Sequence, residues 1–157
     1  MLEVSRVHSH HLNQLRSEVD SLHKEIQHAL PPDVSPPLDV LLREMRETLD
    51  TRSKALYAFY GTTGLVGFAV YSLQVSIMYN RPALIEEVFF TTLTGMQVCT
   101  LGRKLEQALE RTLEENAIPS AYWIIGSTTI PYRKLRAYAL RLGLSEHGTH
   151  FIKTLKG

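Results

Sequence analysis

Two adjacent carboxylates, Glu86 and Glu87, lie within the short apolar run ALIEEVFF that begins at Ala83. A run of this length, rich in β-branched and aromatic residues and bounded by turn signals, predicts a strand. Successive side chains on a strand point to opposite faces, so one of the two could face a substrate cleft. It could act there as a general base if burial raises its pKa. The alternative is that each is a solvated carboxylate or the partner of Arg or Lys in an ion pair.

A polar segment with two glycines follows this strand and leads into an amphipathic helix. The helix carries Leu105 and Leu109 on its apolar stripe and a row of glutamates on another face. The first N–H groups of a helix lack intrahelical partners and the helix dipole favours negative charge there, so residues 97–103 predict an anion site. The alternative is an ordinary turn between a strand and a helix, in which Gly102 allows close packing.

The elements around these residues follow from periodicity and turn signals. Helical spacing predicts helices over 12–30, 38–50, 103–117 and 132–142, and β-rich runs predict strands over 2–7, 55–60, 65–78, 83–90, 121–125 and 148–155. The order is therefore β-α-α-β-β-β-α-β-α-β. Three sequential strands joined by the short turns GTTG and YNRP predict an antiparallel meander. A strand, a helix and a strand predict a parallel crossover, so the sheet should be mixed and the fold class α/β (α+β).

Size and composition describe an ordinary globular chain, which we expect to form one domain over residues 1–157. Of the 157 residues, 44% are hydrophobic and 21% are charged, and the formal net charge of +1 disfavours a nucleic-acid partner. The single cysteine, Cys99, argues against a disulfide framework and for the cytoplasm, and we interpret it as a packing residue. The most apolar stretch is interrupted by Ser72 and Gln74, so we expect no membrane segment. No cysteine or acidic pair accompanies the adjacent His10 and His11, so we expect no metal site.

The spacing of Gln97, Thr100 and Gly102 follows the pattern Gln/Arg-x-x-Gly/Ala-x-Gly/Ala, and Arg103 and Leu105 come next. This resembles the pyrophosphate loop of the GNAT superfamily of N-acetyltransferases, which cradles the phosphates of acetyl-coenzyme A. Thr100 replaces the first small residue of that pattern.

The order of elements is similar to the GNAT fold from end to end. The ending RLGLSEHGTHFIKTL resembles the closing Gly-Phe segment of the family, although Leu144 stands where Phe is usual. The resemblance implies a GNAT-like mixed central sheet with helices on both faces. It also implies that the strand before the loop and the strand after the third helix splay apart, and that the pantetheine of the cofactor pairs with the first of them. Phage genomes encode compact, divergent proteins of this type, and this chain is similar to those.

The resemblance also implies roles for individual residues. The oxyanion donor would be a backbone N–H near the end of the central strand, and the base Glu86 or Glu87. The family commonly carries a tyrosine that acts as the general acid, four residues before the glycine of the Gly-Phe segment. In this sequence that position is Ala139. Tyr138 is one residue away, roughly 100° round the helix, and Tyr132 falls where an asparagine is often found, so these two tyrosines are the candidate acids. Residues implied to bind the cofactor are Phe89, Phe90, Gln97, Val98, Thr100, Gly102 and Arg103.

Together these features predict an acyl-CoA-dependent N-acyltransferase that uses acetyl-CoA or coenzyme A and acts on an amine of a small molecule or a protein. The departures at Thr100 and Ala139 fall where chemistry would occur. They support an alternative, a catalytically degenerate GNAT-fold protein with a structural or protein-binding role, for example in a phage virion. The acceptor amine and the oligomeric state, including a homo-oligomer or virion protein partners, stay open.

Overall fold

The computed structural model describes residues 1–29, 35–75, 77, 79–126 and 132–157. A short 3-10 helix at Ser9–His11 precedes the first α-helix. The helices and strands are β1 (Glu3–Val7), α1 (Leu12–Ala29), α2 (Leu38–Asp50), β2 (Lys54–Gly61), β3 (Gly64–Gln74), β4 (Ala83–Thr91), α3 (Met96–Glu115), β5 (Ala121–Ile125), α4 (Tyr132–Arg141), β6 (Ser145–His147) and β7 (His150–Leu155). The predicted strand over 65–78 ends at Gln74, and Met78 lies outside the described residues.

The seven strands form one sheet in the order β1-β2-β3-β4-β5-β7-β6. Among the described strands, β4 and β5 run parallel and every other neighbouring pair is antiparallel. This confirms the mixed sheet, the meander of β2, β3 and β4, and the parallel crossover through α3. The sequence pattern missed β6, because its three residues are all exposed and carry no alternation. It pairs with β7 across a turn at Gly148, whose φ of 63° suits a residue without a side chain.

Apolar side chains cover both faces of the sheet, which confirms helices on both sides. On one face, α1 and α2 bury residues such as Val19 and Met45 against Phe68 and Val70 of β3. On the other face, α3 and α4 pack against a second apolar cluster that contains Trp123 of β5. No helix in the described part of the chain combines the length and the hydropathy needed to cross a bilayer.

The start of α3 differs from the prediction. The helix begins at Met96, almost two turns before Arg103, so residues 97–103 are helical and form no loop. Gly102 does not break the helix, since one glycine costs a helix interior only about 1 kcal/mol relative to alanine. Gly95 is the N-cap instead, and its φ of 62° and ψ of −137° suit glycine alone. The apolar stripe also continues upstream of Leu105 through the buried Leu101.

Candidate active site

Strands β4 and β5 separate in the middle of the sheet. They pair only from Ala83 to Ile85, and the last pair joins Ile85 to Ile124. Strand β4 continues to Thr91 along β3, whereas β5 ends at Ile125. Within the described residues, no strand pairs with the β5-side edge of β4 beyond Ile85. This confirms the separation that the resemblance implied, and we call the gap between the two strands beyond Ile85 the cleft.

A β-bulge gives the two glutamates of β4 different surroundings. Val70 pairs with Val88 and Tyr71 pairs with Glu86, so Glu87 is the extra residue. Glu86 is 6% exposed and lies directly after the last β4–β5 pair. The side chain of Glu87 is 34% exposed, and its Oε2 lies 3.0 Å from Nζ of Lys54. The ion-pair alternative therefore describes Glu87, while Glu86 is the buried carboxyl group that the sequence allowed for.

A chain of hydrogen bonds holds the Glu86 carboxyl group inside the protein. The indole Nε1 of Trp123 donates to the hydroxyl of Tyr71 over 3.0 Å, and that hydroxyl donates to Oε2 of Glu86. Burial raises the pKa of Glu86 to about 8, and the hydrogen bond from Tyr71 opposes this rise. Glu86 can thus exchange a proton close to neutral pH, which an ordinary carboxyl group cannot do.

Tyr138 of α4 lies in the same buried region. The residue is 6% exposed, and its ring centroid lies 6.2 Å from that of Phe89 on β4. Burial raises the pKa of the Tyr138 hydroxyl well above its usual value, and the Glu86 and Cys99 charges raise it further. The hydroxyl therefore keeps its proton throughout the neutral range and can donate it in a hydrogen bond. Ala139, where the family pattern has its tyrosine, is fully buried next to it.

Gly102 makes room for this tyrosine. A Cβ at Gly102 would lie 2.6 Å from Tyr138 Oη and 2.6 Å from Leu142 Cδ1. Gly102 is itself buried in this contact. The close-packing alternative describes it.

The side chain of Tyr132 lies outside the described residues, although its backbone begins α4. Its role as an acid stays a prediction. The same holds for the backbone donors at Phe89 and Phe90. Their side chains lie in the apolar clusters on opposite faces, Phe89 beside Phe59 and Phe90 beside Phe68.

Cationic groups gather at the start of α3. Nη1 of Arg141 lies 3.5 Å from Sδ of Met96, and Nη2 of Arg103 donates to the backbone oxygen of Arg141 over 3.5 Å. Cations at a helix N-terminus are unfavourable unless an anion is also present, because the dipole is positive there. Sequence reasoning missed Arg141, since α4 and α3 approach each other only in the folded chain.

The other residues predicted to bind the phosphates of the cofactor lie in the first turns of α3. Gln97 and Thr100 are exposed and Val98 is half-buried. The Thr100 hydroxyl donates to the backbone oxygen of Met96, one turn back, over 3.3 Å. The structure thus places these side chains around a helix N-terminus rather than in a loop, and their contact with a cofactor stays a prediction.

Comparisons with known proteins bear on the fold. No protein-family model and no curated protein matches this sequence. Among solved structures, the chain is similar to a probable acetyltransferase from Staphylococcus epidermidis, with a TM-score of 0.60, 14% identity and coverage of 98% of this chain and 99% of the other. It is also similar to the aminoglycoside 6'-N-acetyltransferase AAC(6')-Ih from Acinetobacter baumannii, with a TM-score of 0.58, 16% identity and coverage of 95% and 92%.

A third similar structure is AAC(6')-Iy in complex with the bisubstrate analog CoA-S-monomethyl-acetylneamine. Its TM-score is 0.58, and the alignment has 16% identity over 95% of this chain and 92% of the other. At such identities the likeness establishes the fold alone. The chain has the fold of the GNAT-type acetyltransferases.

Proposed function

We propose that this protein transfers an acyl group from acyl-coenzyme A to an amine. The observation that carries the proposal is the separation of β4 from β5 beyond Ile85. Two buried groups able to exchange protons, Glu86 and Tyr138, lie on the same side of the sheet, and two arginines lie near the start of α3. The similarity to a fold that holds a CoA conjugate in AAC(6')-Iy supports the proposal.

The chemistry of the donor set fits coenzyme A. Beyond Ile85, where no described strand pairs with it, the edge of β4 would offer backbone groups that suit the amides of pantetheine. The N-terminus of α3 with Arg141 and Arg103 suits the phosphates, because both the dipole and the guanidinium groups favour anions. When bound, coenzyme A supplies the acyl group as a reactive thioester.

Two proton transfers would remain for the protein. Glu86, once ionised, would take the proton that the attacking amine loses, and its pKa of about 8 suits this task. Tyr138 would give its proton to the departing sulfur, since its hydroxyl stays protonated throughout the neutral range. We place Glu87 outside these steps because its carboxylate pairs with Lys54.

Calorimetry with coenzyme A tests the cofactor directly. We expect binding by the wild-type protein and a weakening of roughly tenfold or more in Arg141→Ala, as for loss of a charge-assisted contact. Arg111→Ala is the matched control, because Arg111 is an exposed arginine near the other end of α3. Absence of heat with millimolar coenzyme A, or equal weakening in both variants, would remove the basis of the proposal.

The close fit of Tyr138 against Gly102, together with helical structure in place of the expected loop, favours the second candidate function. In that case the chain keeps the fold as a scaffold for binding another protein, for example in a virion. A wild-type protein that binds no coenzyme A but co-purifies with a defined protein from its source would support the scaffold.

A further inference from the structure

A second cavity lies on the face of the sheet opposite Glu86, between β4 and the layer formed by α1 and α2. Its volume is about 290 Å³. The inner wall is apolar and buried, and it is formed by Ile26, Leu41, Met45, Phe68, Val70 and Phe90. A space of this size is at the small end of ligand sites, so it suits a compact apolar group.

The apolar wall continues to the surface at Val88. This side chain lines the cavity, yet it is 40% exposed in the middle of β4. Val88 follows the bulge residue Glu87, and both lie just beyond the point where β4 and β5 separate. The cavity therefore opens beside the cleft, on the side away from the buried Glu86.

Charged groups surround the opening. Glu87 and Lys54 pair with each other over 3.0 Å. The exposed Glu44 of α2 also lines the cavity and forms no ion pair with another described residue. Two carboxylates and one ammonium group leave the opening with a net negative charge, which complements a single cation.

We propose that this cavity holds the acceptor, a primary alkylamine or arylalkylamine. Its apolar body lies against the buried wall, and its ammonium group lies between Glu44 and Glu87. The proposal rests on the proposed acyl transfer and names the class of amine that would receive the acyl group. Polycationic acceptors fit poorly, because most of the wall is apolar and offers no hydrogen-bond or ion-pair partner for a second charge.

Calorimetry without coenzyme A tests the cavity separately from the transfer reaction. The probes are the n-alkylamines from propylamine to octylamine, with the n-alkanols of equal length for comparison. We expect the association constant to rise about fourfold for each added methylene until the cavity is full. Each amine should bind more tightly than its alkanol, and Glu44→Gln should reduce that preference.

Two exposed valines provide matched variants. Val88→Trp should narrow the opening and weaken octylamine binding by about tenfold or more, the value of two methylenes. Val75→Trp adds the same bulk at a residue that is 84% exposed and lies outside the cavity, so it should bind like the wild type. Circular dichroism checks that both variants fold.

The outcomes separate the two proposals. Binding that is independent of chain length, unaffected by Val88→Trp, or tighter for the polyamine spermidine than for octylamine would overturn the cavity assignment. If coenzyme A binds and no alkylamine does, the acceptor class is wrong while the proposed function stands. If alkylamines bind and coenzyme A does not, the acceptor role is overturned together with the acyl transfer.

Discussion

Replacing Glu86 by glutamine should stabilise the protein at alkaline pH. The pKa of this carboxyl group rises from its ordinary 4.5 to about 8 because burial penalises the charged form. A folded-state pKa above the unfolded-state pKa contributes stability below pH 4.5 that is lost as the pH rises through about 8. At about 1.4 kcal/mol for each tenfold change in acidity, the loss is on the order of 5 kcal/mol.

Glutamine keeps an oxygen that can accept the hydrogen bond of Tyr71 but has no charge to bury. The difference in free energy of unfolding between Glu86→Gln and wild type should therefore increase with pH in the same window. Urea unfolding followed by the fluorescence of Trp123, at intervals from about pH 5 to about pH 9, measures this difference. Titration of other groups cancels, since both proteins contain them.

Glu87→Gln is the matched control, because it removes the same charge one residue along the same strand. Its carboxylate is partly exposed and paired with Lys54, and surface pairs contribute only about 0–1 kcal/mol. The control should therefore show little of the pH-dependent gain. Equal pH dependence in the two variants would refute the burial argument for Glu86.

Two further predictions concern Tyr138 and Gly102. If Tyr138 is the acid, Tyr138→Phe should lower turnover by ~10²–10⁴-fold in a thiol-release assay, with the coenzyme A affinity unchanged; unchanged turnover would leave the thiolate to depart unaided or with Tyr132. Gly102→Ala should lower the free energy of unfolding by about 1–3 kcal/mol through overpacking. The higher helix propensity of alanine should offset up to about 1 kcal/mol of this loss. Because the new Cβ would lie 2.6 Å from Tyr138 Oη, the cost should be smaller in the Tyr138→Phe background, and equal costs would contradict the contact.

Local periodicity was sufficient to predict most of the architecture. The apolar stripe of α1 and the β-rich runs of the meander are strong signals, because each repeats with the period of its element. The error at α3 arose because a glycine and polar residues usually indicate a loop. Here Leu101 and Leu105 bury the helix against the sheet, and this tertiary packing outweighs the weak local preference of Gly102.

The candidate site was less accessible, because its properties depend on pairing register. Alternation along β4 predicts that Glu86 and Glu87 face opposite sides, but it does not predict which of them is buried. Register with β3 places Tyr71 opposite Glu86, and β5 contributes the indole that donates to Tyr71. Residues distant in the sequence thus hold the carboxyl group in its buried position, and that burial raises its pKa.

Glu86 and Glu87 lie on opposite faces of β4, and their different surroundings suit them to different tasks. A base that accepts a proton near pH 8 must be withdrawn from water, as Glu86 is. A group that attracts a protonated amine must instead lie near the surface, as Glu87 does beside Lys54. One carboxyl group cannot meet both demands, since burial that raises its pKa also removes its charge. If the chain is an acyltransferase, the alternation along β4 separates the two tasks: Glu87 attracts the amine on one face of the strand, and Glu86, next to the point where β4 and β5 separate, accepts its proton. Exchanging the roles, by burying Glu87 or exposing Glu86, should abolish transfer even where the amine and coenzyme A still bind.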